Sequence, residues 1–91
     1  MDGKFYIEHM TYRLTKYINK RLKDDNRIVS WAFYISEENT LVVVIDYIYN
    51  YHSRLQIPIN ESHDFDENRM MFDHYMVNYF HELEALMKGD K

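Results

Sequence analysis

The chain has no cysteine, one proline and two glycines in 91 residues. Without cysteine it can form no disulfide, offer no thiolate to zinc and supply no thiol nucleophile. Two glycines are too few for a loop that cradles phosphate with bare backbone. The scarcity of Gly and Pro together predicts long regular elements and few elaborate connections. No apolar run approaches the roughly 18 residues that cross a membrane, and the N-terminus lacks a signal-peptide core. The expectation is a cytoplasmic chain with no membrane partner, folded as a single domain over residues 1–91.

What is present is apolar and aromatic. Hydrophobic residues make up 46% and aromatics 16%, which excludes a disordered chain. The charges are sorted by position. Residues 1–36 carry Lys4, Arg13, Lys16, Lys20, Arg21, Lys23 and Arg27 against Asp2, Glu8, Asp24 and Asp25, a net +3. Residues 37–91 carry Arg54, Arg69, Lys88 and Lys91 against eleven carboxylates, a net −7, which leaves the whole chain at −4. A fold with this asymmetry can present one basic and one acidic surface, each selecting partners of opposite sign.

Ile7, Met10, Leu14, Ile18 and Leu22 recur at three- and four-residue steps, which predicts an amphipathic helix over about 4–24. Residues 27–36 are rich in β-branched and aromatic side chains. Val29, Trp31, Phe33 and Ile35 alternate there with Ile28, Ser30, Ala32 and Tyr34, the pattern of a strand. The segment 37–40 is polar and the right size for a hairpin turn. Residues 41–49 and 51–59 read as two further strands with a poorly marked break at Asn50. One bent strand over 41–59 is the alternative, and the hairpin is preferred because strands of that length are rare. Pro58 suggests an edge strand or a strand end. Asp64 and Glu67 have the spacing of a capping box. Phe72, Met76, Tyr79, Phe80, Leu83 and Leu86 then line one face of a helix over about 66–88 that stops at Gly89. The predicted fold is α+β: helix, three-stranded antiparallel meander, helix, packed as a two-layer sandwich.

The chemistry-bearing residues point away from catalysis. His9, His52, His63, His74 and His81 lack the four-residue helical step of a zinc site. The acidic run at 63–67 lacks the Gly and terminal Glu of a calcium loop. No serine sits in a nucleophile elbow. No enzyme, metal or cofactor is therefore expected. Arg13, Lys16, Lys20 and Lys23 form a basic stripe on the first helix, which could meet phosphates. Glu37, Glu38, Asp64, Asp66, Glu67 and Asp73 come from one turn and one helix start and could form an acidic surface. Tyr47, Tyr49 and Tyr51 would share one sheet face on an unbroken strand, and tyrosine is favoured at binding hot spots.

The element order is similar to that of the double-stranded RNA-binding domain. That family has a lysine cluster at the start of its second helix, where this chain has Asp64, Asp66, Glu67 and Asp73. RNA binding in that manner is therefore not expected. In size, acidity and element order the chain resembles small phage-encoded inhibitors of bacterial nucleases, including anti-CRISPR proteins. The resemblance implies a non-enzymatic module that docks on a basic protein surface, such as a nuclease, through the acidic residues and tyrosines. Two alternatives stand beside it. One is a nucleic-acid accessory protein using the basic helix. The other is a structural homodimer joined through the apolar outer sheet face (Ile28, Ala32, Tyr34).

Overall fold

The structure, a computed structural model, describes residues 3–88. Its elements are α1 (Gly3–Lys23), β1 (Ile28–Ile35), β2 (Thr40–Tyr47), a single 3-10 turn (Ile48–Asn50), β3 (His52–Pro58) and α2 (Phe65–Lys88). The strands form one antiparallel sheet in the order β1-β2-β3. Both helices pack on one face of it.

Period decides the layers. Met10, Leu14, Ile18 and Leu22 are buried along α1, and Ile7 is half-buried beside them. Phe72, Met76 and Leu83 are buried along α2, with Tyr79 and Phe80 half-buried against the same core. From the sheet come Leu41, Val43, Ile45 and Tyr47 on β2 and Leu55 and Ile57 on β3, all on the helix side. Fully burying one such side chain contributes roughly 1.5–3 kcal/mol. α1 lies under β1, where Trp31 donates its indole N–H to Asn19 Oδ1 (2.7 Å). α2 lies under β3, where Tyr79 donates its hydroxyl to the Arg54 carbonyl (3.3 Å) and Tyr51 donates to Glu82.

The capping box is reciprocal: the Glu67 N–H donates to Asp64 Oδ1 (2.9 Å) and the Asp64 N–H to Glu67 Oε1 (3.0 Å). Pro58 is the last residue of β3, an edge strand. The hairpin reading of 41–59 also holds, and the break is sharper than its sequence suggests. Tyr49 and Asn50 both have positive φ (64° and 58°), the backbone sign that reverses a chain into a hairpin. The predicted helix stop at Gly89 lies outside the described residues.

Three expectations are corrected. Leu86 is exposed, beyond Leu83, the last buried residue of α2. The strict alternation of β1 fails at its start, where the register slips between Ile28 and Ser30. The extra residue turns Ile28 toward the core and leaves Val29 65% exposed. Ile28 therefore does not belong to the outer sheet face. Ile35, at the open margin of the sheet, is 41% exposed.

Candidate functional site

The outer sheet face has no helix over it. Register places Ser30, Asp46 and His52 in one row across the three strands, then Ala32, Val44 and Arg54, then Tyr34, Val42 and Gln56. In the first row Ser30 Oγ donates to Asp46 Oδ2 (3.0 Å) and His52 Nδ1 meets Asp46 Oδ1 (2.7 Å). The hydrogen bonds from His52 and Ser30 hold the Asp46 carboxyl below its usual range. Both the hydroxyl and the imidazole are spent on this carboxylate, with the carboxylate between them. A serine activated by a histidine needs the opposite order.

The third row opens into a cleft of about 290 Å³ lined by Tyr34, Glu37, Glu38, Val42, Arg54 and Gln56, among others. Arg54 reaches across Val42 to hydrogen-bond the Tyr34 hydroxyl, and its guanidinium carbon lies 5.8 Å from the Tyr34 ring. Glu37 and Glu38 are exposed at the rim, in a turn where Ser36 Oγ accepts the Glu38 N–H (3.2 Å) and Asn39 takes a positive φ of 57°.

Long-range pairing brings this turn to the second acidic segment. The Ile59 N–H donates to the Asn39 carbonyl (3.0 Å), so the β1–β2 turn touches the connection that leads into α2. Glu37, Glu38, Glu61, Asp64, Asp66 and Glu67 thus belong to one end of the molecule, and all six are exposed. Asp66 is 3.7 Å from Arg69.

Asp73 does not join them. Its two oxygens share the single hydroxyl hydrogen of Tyr17 (2.9 and 3.0 Å), it accepts a hydrogen bond from Arg69 (3.0 Å), and it lies 3.5 Å from Arg21. Partial burial and this carboxylate push the Tyr17 hydroxyl above its ordinary pKa. Asp73 is a tie between the helices, already matched by two guanidiniums.

The tyrosine trio is also divided. Tyr47 is only 2% exposed and its hydroxyl meets Ser53 Oγ at 2.7 Å inside the core. Burial raises its pKa to about 12. Tyr51 is half-buried among Tyr47, Tyr79 and Glu82. Tyr49 alone faces solvent, 65% exposed at the tip of the β2–β3 turn. That turn is at the far end of the sheet from Glu37 and Glu38, about 26 Å away along an eight-residue strand. Tyr47 cannot touch a partner, and no single surface holds the carboxylates together with Tyr47, Tyr49 and Tyr51. The aromatic beside the carboxylates is Tyr34. Its partner Arg54 comes from the third strand, and only the folded sheet brings the two together.

Arg13, Lys16, Lys20 and Lys23 are exposed along α1, and the Arg13 end of this stripe reaches Phe65, between Asp64 and Asp66. The first three line a groove of about 320 Å³ with Tyr12, Tyr17 and Phe65. The Arg13 guanidinium sits 4.2 Å above the Phe65 ring, and the Lys16 ammonium 5.8 Å from Tyr12. Among the described residues no group of three or more His, Asp or Glu is placed to hold a metal ion. None of their helices is long and apolar enough to cross a membrane.

Comparison with known proteins found no matching family model, no matching curated protein and no matching solved structure.

Proposed function

We propose that the chain is a non-enzymatic protein-binding module that docks on a basic protein surface through its open sheet face and acidic end. A nuclease or another nucleic-acid-binding protein is the favoured target class, in the manner of the small phage-encoded inhibitors it resembles. The observation that carries the reading is the bond from Ile59 to Asn39. It unites the two acidic segments beside a cleft that carries Tyr34. Six carboxylates at one end steer a cationic surface toward it, and the uncovered sheet supplies the contact area.

Capture from host-cell extract on immobilised wild-type chain, and on a Glu37→Lys/Glu38→Lys variant, tests this. The expected result is a retained protein with a basic surface that salt elutes and that the variant fails to hold. Retention by the variant, or loss on Lys16→Glu/Lys20→Glu instead, overturns the reading. Both pairs are exposed, so neither reversal removes a core contact.

A second reading has its own observation. The groove of Arg13, Lys16 and Lys20 beside Tyr12, Tyr17 and Phe65 has the cations and stacking faces that single-stranded nucleic acid uses. The carboxylates at the start of α2 oppose it. Fluorescence anisotropy with a labelled oligonucleotide should show weak binding or none near physiological salt. Tight binding abolished by Lys16→Glu/Lys20→Glu would promote this reading over the first.

A further inference from the structure

We infer that the free edge of β1 pairs with the same edge of a second copy, antiparallel about a two-fold axis at Ala32, to form one six-stranded sheet. The first support is the phase of the backbone. The Ser36 N–H donates to the Thr40 carbonyl (2.9 Å), so in an antiparallel ladder Tyr34, Ala32 and Ser30 also point their backbone groups at β2. Trp31, Phe33 and Ile35 then point theirs away from β2. Among the described residues no strand lies on that side.

Composition is the second support. Residues 28–36 read Ile-Val-Ser-Trp-Ala-Phe-Tyr-Ile-Ser, with no charge, no Pro and no Gly. Beyond the bulge at Val29, nothing in that run discourages pairing. Val29 and Ile35 are 65% and 41% exposed along it.

The placement of charge selects orientation and register. Residues 36–40, after the strand, hold Glu37 and Glu38 and no cation, while before it Arg27 is already paired with Asp25. Parallel pairing would set Glu37 and Glu38 against their own copies. Antiparallel pairing sends them to opposite ends of the shared edge. Outward residues must meet outward residues, which leaves an axis at Trp31, Ala32 or Phe33. An axis at Phe33 brings Glu37 to the apolar bulge at Val29, and one at Trp31 carries Ile35 past the bulge to the charged entry at 25–27. Each buries a charge against an apolar side chain. An axis at Ala32 places Trp31 opposite Phe33 and sets Ile35 against the bulge at Val29, apolar against apolar. Ala32 is also the smallest side chain of the strand. It suits the close pair on the axis, where Cα atoms approach to about 4.5 Å.

The absence of cysteine makes the register testable. Ala32→Cys should link two copies through a disulfide under mild oxidation, because that Cα spacing is within reach of the bond. Gln56→Cys, equally exposed but on β3, should stay unlinked. Wild-type chain should sediment at twice 11.3 kDa at high concentration. Val29→Lys/Ile35→Lys should weaken the dimer at least tenfold while keeping the circular dichroism of the wild type. A wild type that stays monomeric from micromolar to near-millimolar concentration overturns the inference. So does a lysine variant that still dimerises, or a Gln56→Cys chain that links as readily as Ala32→Cys.

Discussion

The two edges of this sheet are opposites. β3 carries His52, Arg54 and Gln56 outward and ends at Pro58, which has no N–H to offer. Tyr79 caps the Arg54 carbonyl, and Tyr51 ties the start of the strand to Glu82 on α2. β1 has apolar and small side chains, a bulge at its start, and one side-chain bond to its helix, from Trp31 to Asn19. Folding alone accounts for the laced and blunted edge. An edge left apolar and uncharged beyond its bulge is a liability unless something pairs with it. The comparison teaches that one sheet can contain a closed side and a side kept ready for association.

The largest expected effect tests how deeply each margin is packed. Leu55→Ala on β3 removes a side chain only 1% exposed and should cost about 2–5 kcal/mol in urea denaturation. Ile35→Ala on β1 should cost less than about 1 kcal/mol in the monomer, since much of its side chain is already in water. Equal losses would break the contrast.

Next comes the buried hydroxyl pair beneath the closed side. Tyr47→Phe leaves Ser53 Oγ buried without its partner and should cost about 1–3 kcal/mol. Tyr47→Phe/Ser53→Ala should recover most of that. Burial favours the neutral phenol and lifts its pKa from 10.0 to about 12. Its stabilisation is therefore complete below pH 10 and lost as pH rises from 10 to 12. Alkaline melts of Tyr47→Phe should be flatter across that window than those of the wild type.

A smaller effect is expected where the chain enters β1. Asp25 accepts the Arg27 backbone N–H (2.9 Å) and holds the Arg27 guanidinium through both oxygens (3.0 and 2.8 Å). Phe80 supports that guanidinium from 3.9 Å below. The hydrogen bond from Arg27 lowers the Asp25 pKa below its ordinary 3.8. This stabilisation is present above pH 3.8 and lost as pH falls through the lowered value. Asp25→Asn should therefore lower the melting temperature at neutral pH and reduce its decline in acid. An unchanged acid profile would remove this anchor from the β1 side.

The smallest effect is read at the Trp31 tie. Asn19→Ala removes a half-exposed bond and should cost about 0.5–1 kcal/mol. Hydrogen exchange gives the residue-level version. The amides of Trp31, Phe33 and Ile35 should exchange quickly in dilute protein and slow down with concentration, while those of Leu55 and Ile57 should be slow throughout. Fast exchange on β3 and slow exchange on β1 in dilute solution would invert the comparison.

Local signals were sufficient for much of the fold. The heptad-like spacing of Met10 to Leu22, the alternation of Leu55 and Ile57 with Arg54 and Gln56, the Asp64–Glu67 cap and the terminal Pro58 each act over one to four residues. A physical rule of that range can be read from the chain directly. The candidate site was less legible because its determinants are long-range. Glu37 and Asp64 are 27 positions apart, and what unites their segments is a backbone bond from Ile59 to Asn39, which no side-chain pattern encodes. Asp73 reads as one more acidic residue until Tyr17, Arg21 and Arg69 arrive from two helices to neutralise it.

By itself, then, the sequence determined the elements, their order and the inward faces, because helix and strand periodicity dictates which side chains leave water. Tertiary structure decided which end each charge reached and which tyrosine remained outside. A positive-φ turn at Tyr49 separates it from Tyr47, and a single extra residue near Val29 exchanges the faces of its neighbours. Such irregularities cost only about 1–3 kcal/mol each, so the surrounding packing can impose them without a mark in the local pattern.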